Sequence, residues 1–175
     1  MIDLRQKSIV VTGGASGIGA AICTAACEEG AAVGIIDIDS DAAVSLCRKL
    51  GPRAWCASGD VESESSMHAA LDALSVNMPV FNCCVTSAGI MPTLEPMEEM
   101  PLENFTRVLE NHINGTFVTC KLVGQRMLKS GGGSIVTMSS VMGLRPGPVL
   151  GYGAGKAGIK NLTQALAVQW SKKNI

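Results

Sequence analysis

The chain has 175 residues, of which 47% are hydrophobic, 17% charged and 3% aromatic, and its formal charge is −1. That length buries a real core and fits one domain over residues 1–175. A charge this small makes no electrostatic case for nucleic acid or an anionic membrane, no apolar run is long enough to span a bilayer, and no secretory pattern opens the chain, so the expectation is a soluble cytoplasmic protein.

Short apolar runs alternate with longer amphipathic ones. This is the pattern of an α/β, Rossmann-like, doubly wound parallel sheet with helices on both faces. Ser8–Val11 reads as a first strand, followed by a glycine turn and a helix from about Ser16 to Glu29 that Gly30 closes. Ala32–Asp37 is a second strand, and Ser40 caps a helix reaching Leu50, with Asp41 favourable at its start. Arg53–Ala57 is a third strand, running into Gly59-Asp60-Val61. A helix through the seventies leads to a fourth strand, Val80–Val85. Asn104–Lys129 is helical in pattern, with Ile113, Phe117, Cys120, Gly124 and Met127 on one stripe, and Gly131-Gly132-Gly133 stops it. Ser134–Met138 is the fifth strand and Tyr152–Lys172 the last long helix. In such an alternation another strand follows a helix, so the expectation is a sheet whose C-terminal strands are missing and whose fifth strand is an edge.

Seven cysteines stand at 23, 27, 47, 56, 83, 84 and 120. None has zinc spacing with histidines nearby, and most fall in apolar stretches. They read as small buried hydrophobes of a reducing compartment, with no metal site.

Chemistry concentrates in two places. The first is Thr12-Gly13-Gly14-Ala15-Ser16-Gly17-Ile18-Gly19, between a strand and a helix, a context that makes a phosphate cradle. Gly13 permits the tight turn, Gly17 lets backbone N–H groups approach a pyrophosphate, and Gly19 allows close helix packing. The helix N-terminus adds partial positive charge. Asp37 ends the second strand, where a carboxylate accepts hydrogen bonds from an adenine ribose and repels a 2′-phosphate. No lysine or arginine lies between Gly19 and Asp37, which favours NAD over NADP. Asp39 and Asp41 read as solvated turn residues.

The second place is Tyr152-Gly-Ala-Gly-Lys156. On a helix this spacing puts both side chains on one face. An ammonium beside a phenol favours the phenolate, which makes a proton donor and acceptor.

These residues resemble the short-chain dehydrogenase/reductase family, from the first strand to the last residue. The glycine motif, Asp60-Val61, Ala88-Gly89, Ser139-Ser140-Val141-Met142-Gly143 and the Tyr-x-x-x-Lys pair occur in the family's order. The resemblance implies a hydride transfer between NAD(H) and a small alcohol or ketone. Thr12, Gly13, Ser16, Gly17, Ile18, Gly19, Asp37, Asp60, Val61, Ala88 and Gly89 would bind the cofactor, together with Tyr152 and Lys156. Tyr152 would exchange the proton, Lys156 would hold the nicotinamide ribose, and a serine hydroxyl would bond the substrate oxygen as charge develops there. That serine is Ser140 when aligned on the following Val-x-Gly and Ser139 when counted back from the tyrosine; Ser140 is chosen. The family's helices at 104–129 and 152–172 build homo-oligomers, so a dimer or tetramer is implied.

The chain departs from the family pattern at several positions. Thr86-Ser87 stand where the family has two asparagines, and the shorter side chains weaken the expected bracing of the central strands. His112 stands where the family has the asparagine that supports a water-linked proton path to the lysine, with Asn111 and Asn114 beside it. His112 is therefore carried as a catalytic candidate that brings a pH-dependent charge, against the plainer reading of a structural histidine. Gly155 replaces a serine at a cost of roughly 0.5–1 kcal/mol within a helix. A protein that binds NAD or a partner subunit without turnover is the competing reading.

Overall fold

A computed structural model describes residues 3–78 and 80–175. Five strands, β1 (Ser8–Thr12), β2 (Ala32–Asp37), β3 (Ala54–Ser58), β4 (Cys83–Thr86) and β5 (Ser134–Thr137), form one sheet in the order β3-β2-β1-β4-β5. Every pairing is parallel, with Thr12 level with Ile36 on one side and with Thr86 on the other. Among the described residues six α-helices follow the strands, two of them between β4 and β5: α1 (Gly17–Glu28), α2 (Ser40–Leu50), α3 (Glu64–Ser75), α4 (Leu102–Leu109), α5 (Gly115–Lys129) and α6 (Leu150–Trp170).

Alternation along the strands divides the core. Val10, Ile36 and Cys84 pack with Met67, Leu71 and Leu74 of α3 and Leu122, Val123 and Met127 of α5. Ile9, Val11, Val33 and Ile35 pack with Cys23 and Ala26 of α1 and Ala43 of α2. Val10, Val11, Ile35 and Ile36 are completely buried, each contributing roughly 1.5–3 kcal/mol of hydrophobic stabilisation. Helices therefore cover both faces, as the alternation predicts. The chain crosses over between β1 and β4, so the carboxyl ends of these strands part and leave a crevice, the place where open α/β sheets bind ligands.

The structure moves several expected boundaries. Asp39, not Ser40, caps α2, because its side chain accepts from the Ala42 N–H at 2.9 Å. β3 begins one residue later than expected. β4 is confined to Cys83–Thr86, where its ladder with β1 begins, although Phe81 before it is still buried. α6 starts at Leu150, two residues before Tyr152. The long helix expected over 104–129 begins at Leu102 and is interrupted by a π-helical turn, Glu110–Asn114. Beyond it Cys120, Gly124 and Met127 of the expected stripe are buried. Phe117, expected on the buried stripe, is 47% exposed, while Val118 and Thr119 turn inward. β5 is an edge strand as expected, and Val136 on it is 48% exposed.

Candidate active site

The glycine turn joins β1 to α1. Gly13 has φ +62°, and a Cβ there would lie 2.6 Å from the Ala88 Cα, so the turn presses against the chain leaving β4. Gly17 has φ +50° and faces open space, since a Cβ there would meet nothing within 4 Å. Gly19 is packed directly against the turn, because a Cβ would come within 2.0 Å of the Gly13 carbonyl oxygen. The three roles expected of these glycines are thus separate in space. Ser16 occupies the N-cap of α1 without using its hydroxyl as a cap. The first N–H groups of the helix face the cleft without that protein acceptor.

Asp37 bridges the turn to the end of β2. One carboxylate oxygen accepts from the Ala15 N–H at 2.9 Å and the other from the Asp39 N–H at 3.0 Å. Each oxygen keeps lone-pair capacity for further donors. Asp60 accepts from the Glu62 N–H at 2.9 Å, and Val61 is buried against Gly115, where a Cβ would come within 2.8 Å of it.

The π-helical turn delivers two consecutive side chains to one neighbour. Asn111 Oδ1 accepts from the Ile90 N–H at 3.0 Å, while its amide nitrogen donates to Glu62 at 2.8 Å. His112 Nε2 lies 2.9 Å from the Ile90 carbonyl oxygen. A carbonyl only accepts, so Nε2 carries the proton and Nδ1 the lone pair. Between them the two residues clamp both backbone groups of Ile90, a task that a regular helix, turning about 100° per residue, does not readily give to adjacent positions. His112 is 2% exposed. Burial, then the neighbouring Lys156 charge, hold its pKa below the ordinary histidine value, against the opposing hydrogen bond to Ile90.

Tyr152 and Lys156 lie one turn apart on α6, the face-sharing arrangement that their spacing predicts. The Lys156 Nζ is 5.5 Å from the centre of the Tyr152 ring. It donates to the Met138 carbonyl oxygen at 2.7 Å, and burial lowers the pKa of the amine. The His112 ring meets Tyr152 edge to face, with centroids 5.2 Å apart and planes at 84°.

The two serines behave differently. Ser139 donates its hydroxyl proton to the Lys156 carbonyl at 2.9 Å. Ser140 instead accepts from the Met142 N–H at 3.2 Å, at the start of a short 3₁₀ turn, Val141–Gly143. Its own proton has no acceptor among the described residues.

One cleft of about 730 Å³ gathers Gly13, Ser16, Gly17, Ile18, Gly19, Asp37, Asp60, Val61, Ala88, Gly89, His112, Tyr152 and Lys156. Two candidates lie outside its lining. Thr12 is buried beneath the turn with its hydroxyl unpartnered, and Ser140 flanks the cleft while Ser139 lines it. The Thr86 hydroxyl is also buried and unpartnered, so the threonine standing in for the first of the family's asparagines reaches no partner there. Sequence reasoning missed Glu62, Arg107 and the Met138 carbonyl, and it named Asn111 only as a neighbour of His112. The adjacency of Asn111 and His112 was the one available signal, because nothing local marks a backbone carbonyl as the rest for a lysine.

The residues present fit a dinucleotide. The turn has an open glycine face where backbone donors converge, α1 points its N-terminus there, and a carboxylate stands at the adjoining strand end. Among the described residues no group of histidine, cysteine and acidic side chains is placed to hold a metal, and no helix is long and apolar enough to cross a membrane.

Comparison with known proteins places this geometry. A family model for short chain dehydrogenases matches residues 7–175. D-threitol dehydrogenase of Mycolicibacterium smegmatis is 35% identical over 98% of this chain and 67% of its own. NAD-dependent glycerol dehydrogenase of Listeria innocua is 31% identical over 99% of this chain and 68% of its own. Among solved structures, a short-chain type dehydrogenase/reductase from Mycobacterium marinum superposes with a TM-score of 0.94 at 30% identity, covering 99% of this chain and 72% of that one. An NAD⁺-bound xylitol dehydrogenase superposes with a TM-score of 0.92 at 28% identity, covering 97% and 66%. The chain spans about two thirds of the length of these relatives. With its parallel sheet, glycine turn and Tyr–Lys pair on one crevice, the chain belongs to the short-chain dehydrogenase family, a family of oxidoreductases.

Proposed function

We propose that residues 1–175 form one dinucleotide-binding unit that uses NAD to transfer a hydride to or from the carbonyl or secondary alcohol carbon of a small molecule. The observation that carries this reading is the convergence of the glycine turn, Asp37, Tyr152 and Lys156 on one cleft. NAD, when bound, supplies the hydride acceptor or donor. Gly13, Ser16, Gly17, Ile18 and Gly19 hold its pyrophosphate at the start of α1, aided by Thr12 beneath the turn. Asp37 receives the adenine ribose, and Asp60, Val61, Ala88 and Gly89 form the walls. The Asp37 carboxylate repels a 2′-phosphate, and the relatives named for NAD support the same preference.

The chain's own groups handle the proton. Tyr152 takes it from the substrate hydroxyl in oxidation and returns it in reduction. Lys156, anchored on the Met138 carbonyl, keeps a positive charge beside the phenol and has N–H groups left for the nicotinamide ribose. Ser140 donates to the substrate oxygen, since its proton is free and an N–H already bonds its oxygen. The Ser139 hydroxyl is already engaged as a donor to the Lys156 backbone carbonyl. Polyols such as threitol, xylitol and glycerol, named in relatives, are the first substrates to try. A soluble cytoplasmic homo-oligomer, a dimer or tetramer, is part of the same reading, and light scattering tests its assembly.

Calorimetry with NAD and NADP, paired with turnover of Tyr152→Phe, tests the function. Saturable binding with NAD preferred, and a variant that binds NAD but loses turnover, bear it out. Tight NAD binding with no turnover by the unaltered chain supports the non-catalytic reading instead.

A further inference from the structure

A second cavity, of about 210 Å³, opens beside the cleft, and Ile90, Met91 and Arg107 line both. Val149, Leu150 and Gly151, the three residues immediately before Tyr152, line it as well. A Cβ on Gly151 would lie 3.3 Å from the Val108 Cβ and 3.4 Å from the Phe105 Cδ2, so the start of α6 rests closely on α4 there. The cavity thus joins the start of the Tyr152 helix to Arg107.

The charges along the two cavities are unevenly satisfied. Asp37 and Asp60 accept from backbone N–H groups, and Glu62 accepts from the Asn111 amide. Lys156 donates to the Met138 carbonyl. In the second cavity Glu95 accepts from both Thr93 and Asn104, so those three polar side chains satisfy one another. Arg107 alone among the charged lining residues makes no ion pair or side-chain hydrogen bond among the described residues, and Glu103 one turn earlier on α4 does not reach it. Its guanidinium offers five N–H donors in a planar fork that matches a carboxylate. The walls of Ile90, Met91, Phe105, Val108, Val149 and Leu150 offer no side-chain partner to a hydroxyl taken from water, which disfavours a polyol there.

We propose that Arg107 is a specificity-determining residue that holds the carboxylate of a substrate with an apolar body, so that the reaction interconverts a hydroxy acid and an oxo acid. The apolar body lies against Ile90, Met91 and Leu150 while the carbinol stands at Tyr152. In oxidation the carbinol carbon passes a hydride to NAD and the hydroxyl passes its proton to Tyr152, which leaves the ketone. This rests on the catalytic reading above and narrows its substrates from polyols to hydroxy acids.

The probes are 5-oxohexanoate and its methyl ester, which share one skeleton and differ in charge. Ligand-observed NMR titration, on the chain alone and on the chain saturated with NAD, reads their binding without turnover. The acid should bind about tenfold tighter than the ester, the effect of one charge-assisted hydrogen bond. Arg107→Leu should erase the difference, Arg107→Lys should keep part of it, and added salt should shrink it. Equal binding of acid and ester, binding of neither, or a preference that survives Arg107→Leu overturns the proposal. NAD affinity lost in an Arg107→Leu protein that still melts cooperatively overturns it too, because the guanidinium then serves the cofactor.

Turnover supplies the second arm. Here kcat/KM for 5-hydroxyhexanoate should exceed that for its methyl ester and for xylitol, and Arg107→Leu should lose the excess over the ester through a raised KM. Xylitol turned over faster than the acid refutes the narrowing to hydroxy acids. A chain that binds the acid through Arg107 yet turns over nothing refutes the catalytic reading alone.

Discussion

Gly19→Ala is the sharpest test of how this fold makes its nucleotide turn. The added methyl would fall 2.0 Å from the Gly13 carbonyl oxygen, 2.9 Å from the Gly13 carbonyl carbon and 3.0 Å from the Gly14 Cα. All three are backbone atoms, so no side-chain rotation relieves the clash; the turn must open or α1 must retreat from it. Overpacking of this kind costs roughly 1–3 kcal/mol, and a rigid backbone neighbour places it at the upper end. A loss of about 3 kcal/mol lowers the melting midpoint of a domain this size by roughly 6–12 °C. Gly17→Ala is the internal control. Its Cβ meets nothing, so only the left-handed φ of +50° opposes it, at roughly 1–2 kcal/mol. Thermal denaturation, with NAD titrated calorimetrically into each variant, reads both effects. Gly19→Ala should be the less stable of the two, while Gly17→Ala stays folded and still loses NAD affinity, because its methyl enters the open face. A Gly19→Ala protein as stable as the unaltered chain would refute the close packing of helix on turn.

Other consequences are as direct. Thr86→Val should be neutral or stabilising by about 1 kcal/mol in urea denaturation, because the hydroxyl it removes is buried without a partner; a clear loss would reveal a partner. His112 has a folded pKa below the ordinary value of 6.5, so the unfolded chain binds more protons as acid is added. Stability should therefore fall as pH drops from 6.5 toward the folded value, and His112→Asn should flatten that slope in melting curves. The charged and titratable side chains lining the cleft with it are Lys156 and Tyr152 from α6, Arg107 from α4, Asp37 at the end of β2, and Asp60 and Glu62 after β3, and all remain in that variant. Burial pushes the Cys23, Cys47 and Cys120 thiols up to about 12 and that of Cys84 upward too. Iodoacetamide at neutral pH should leave the buried Cys23, Cys84 and Cys120 unmodified until urea unfolds the chain; rapid native labelling of any of these three would contradict their burial.

Much of this molecule is legible in its sequence, because the relevant physics is local. Alternating apolar runs mark strands, apolar residues at helical spacing mark the helices between them, and that alternation dictates a parallel sheet covered on both faces. Glycines at 13, 17 and 19 and a Tyr–Lys pair one turn apart are likewise short-range facts, and each keeps its expected place. Asp39 in place of Ser40 as the cap of α2 is a shift of one residue within an element correctly read.

What only the tertiary structure decided involves partners far apart in the chain. The π-helical turn before Gly115 carries no local signature, and it is held where Asn111 and His112 both close on Ile90, more than twenty positions earlier. Phe117, at the margin of a stripe whose Cys120, Gly124 and Met127 are buried, is left exposed because no element among the described residues packs over it. That the Ser139 hydroxyl donates to the Lys156 carbonyl while the Ser140 oxygen accepts from Met142 is likewise decided where the chain leaving β5 leans on α6. Whether Thr12 and Thr86 find partners, and whether a histidine fits beside Gly89 and Gly155, depend on sub-ångström distances between separate elements. Periodicity places a residue on a face, but only packing decides what that face meets.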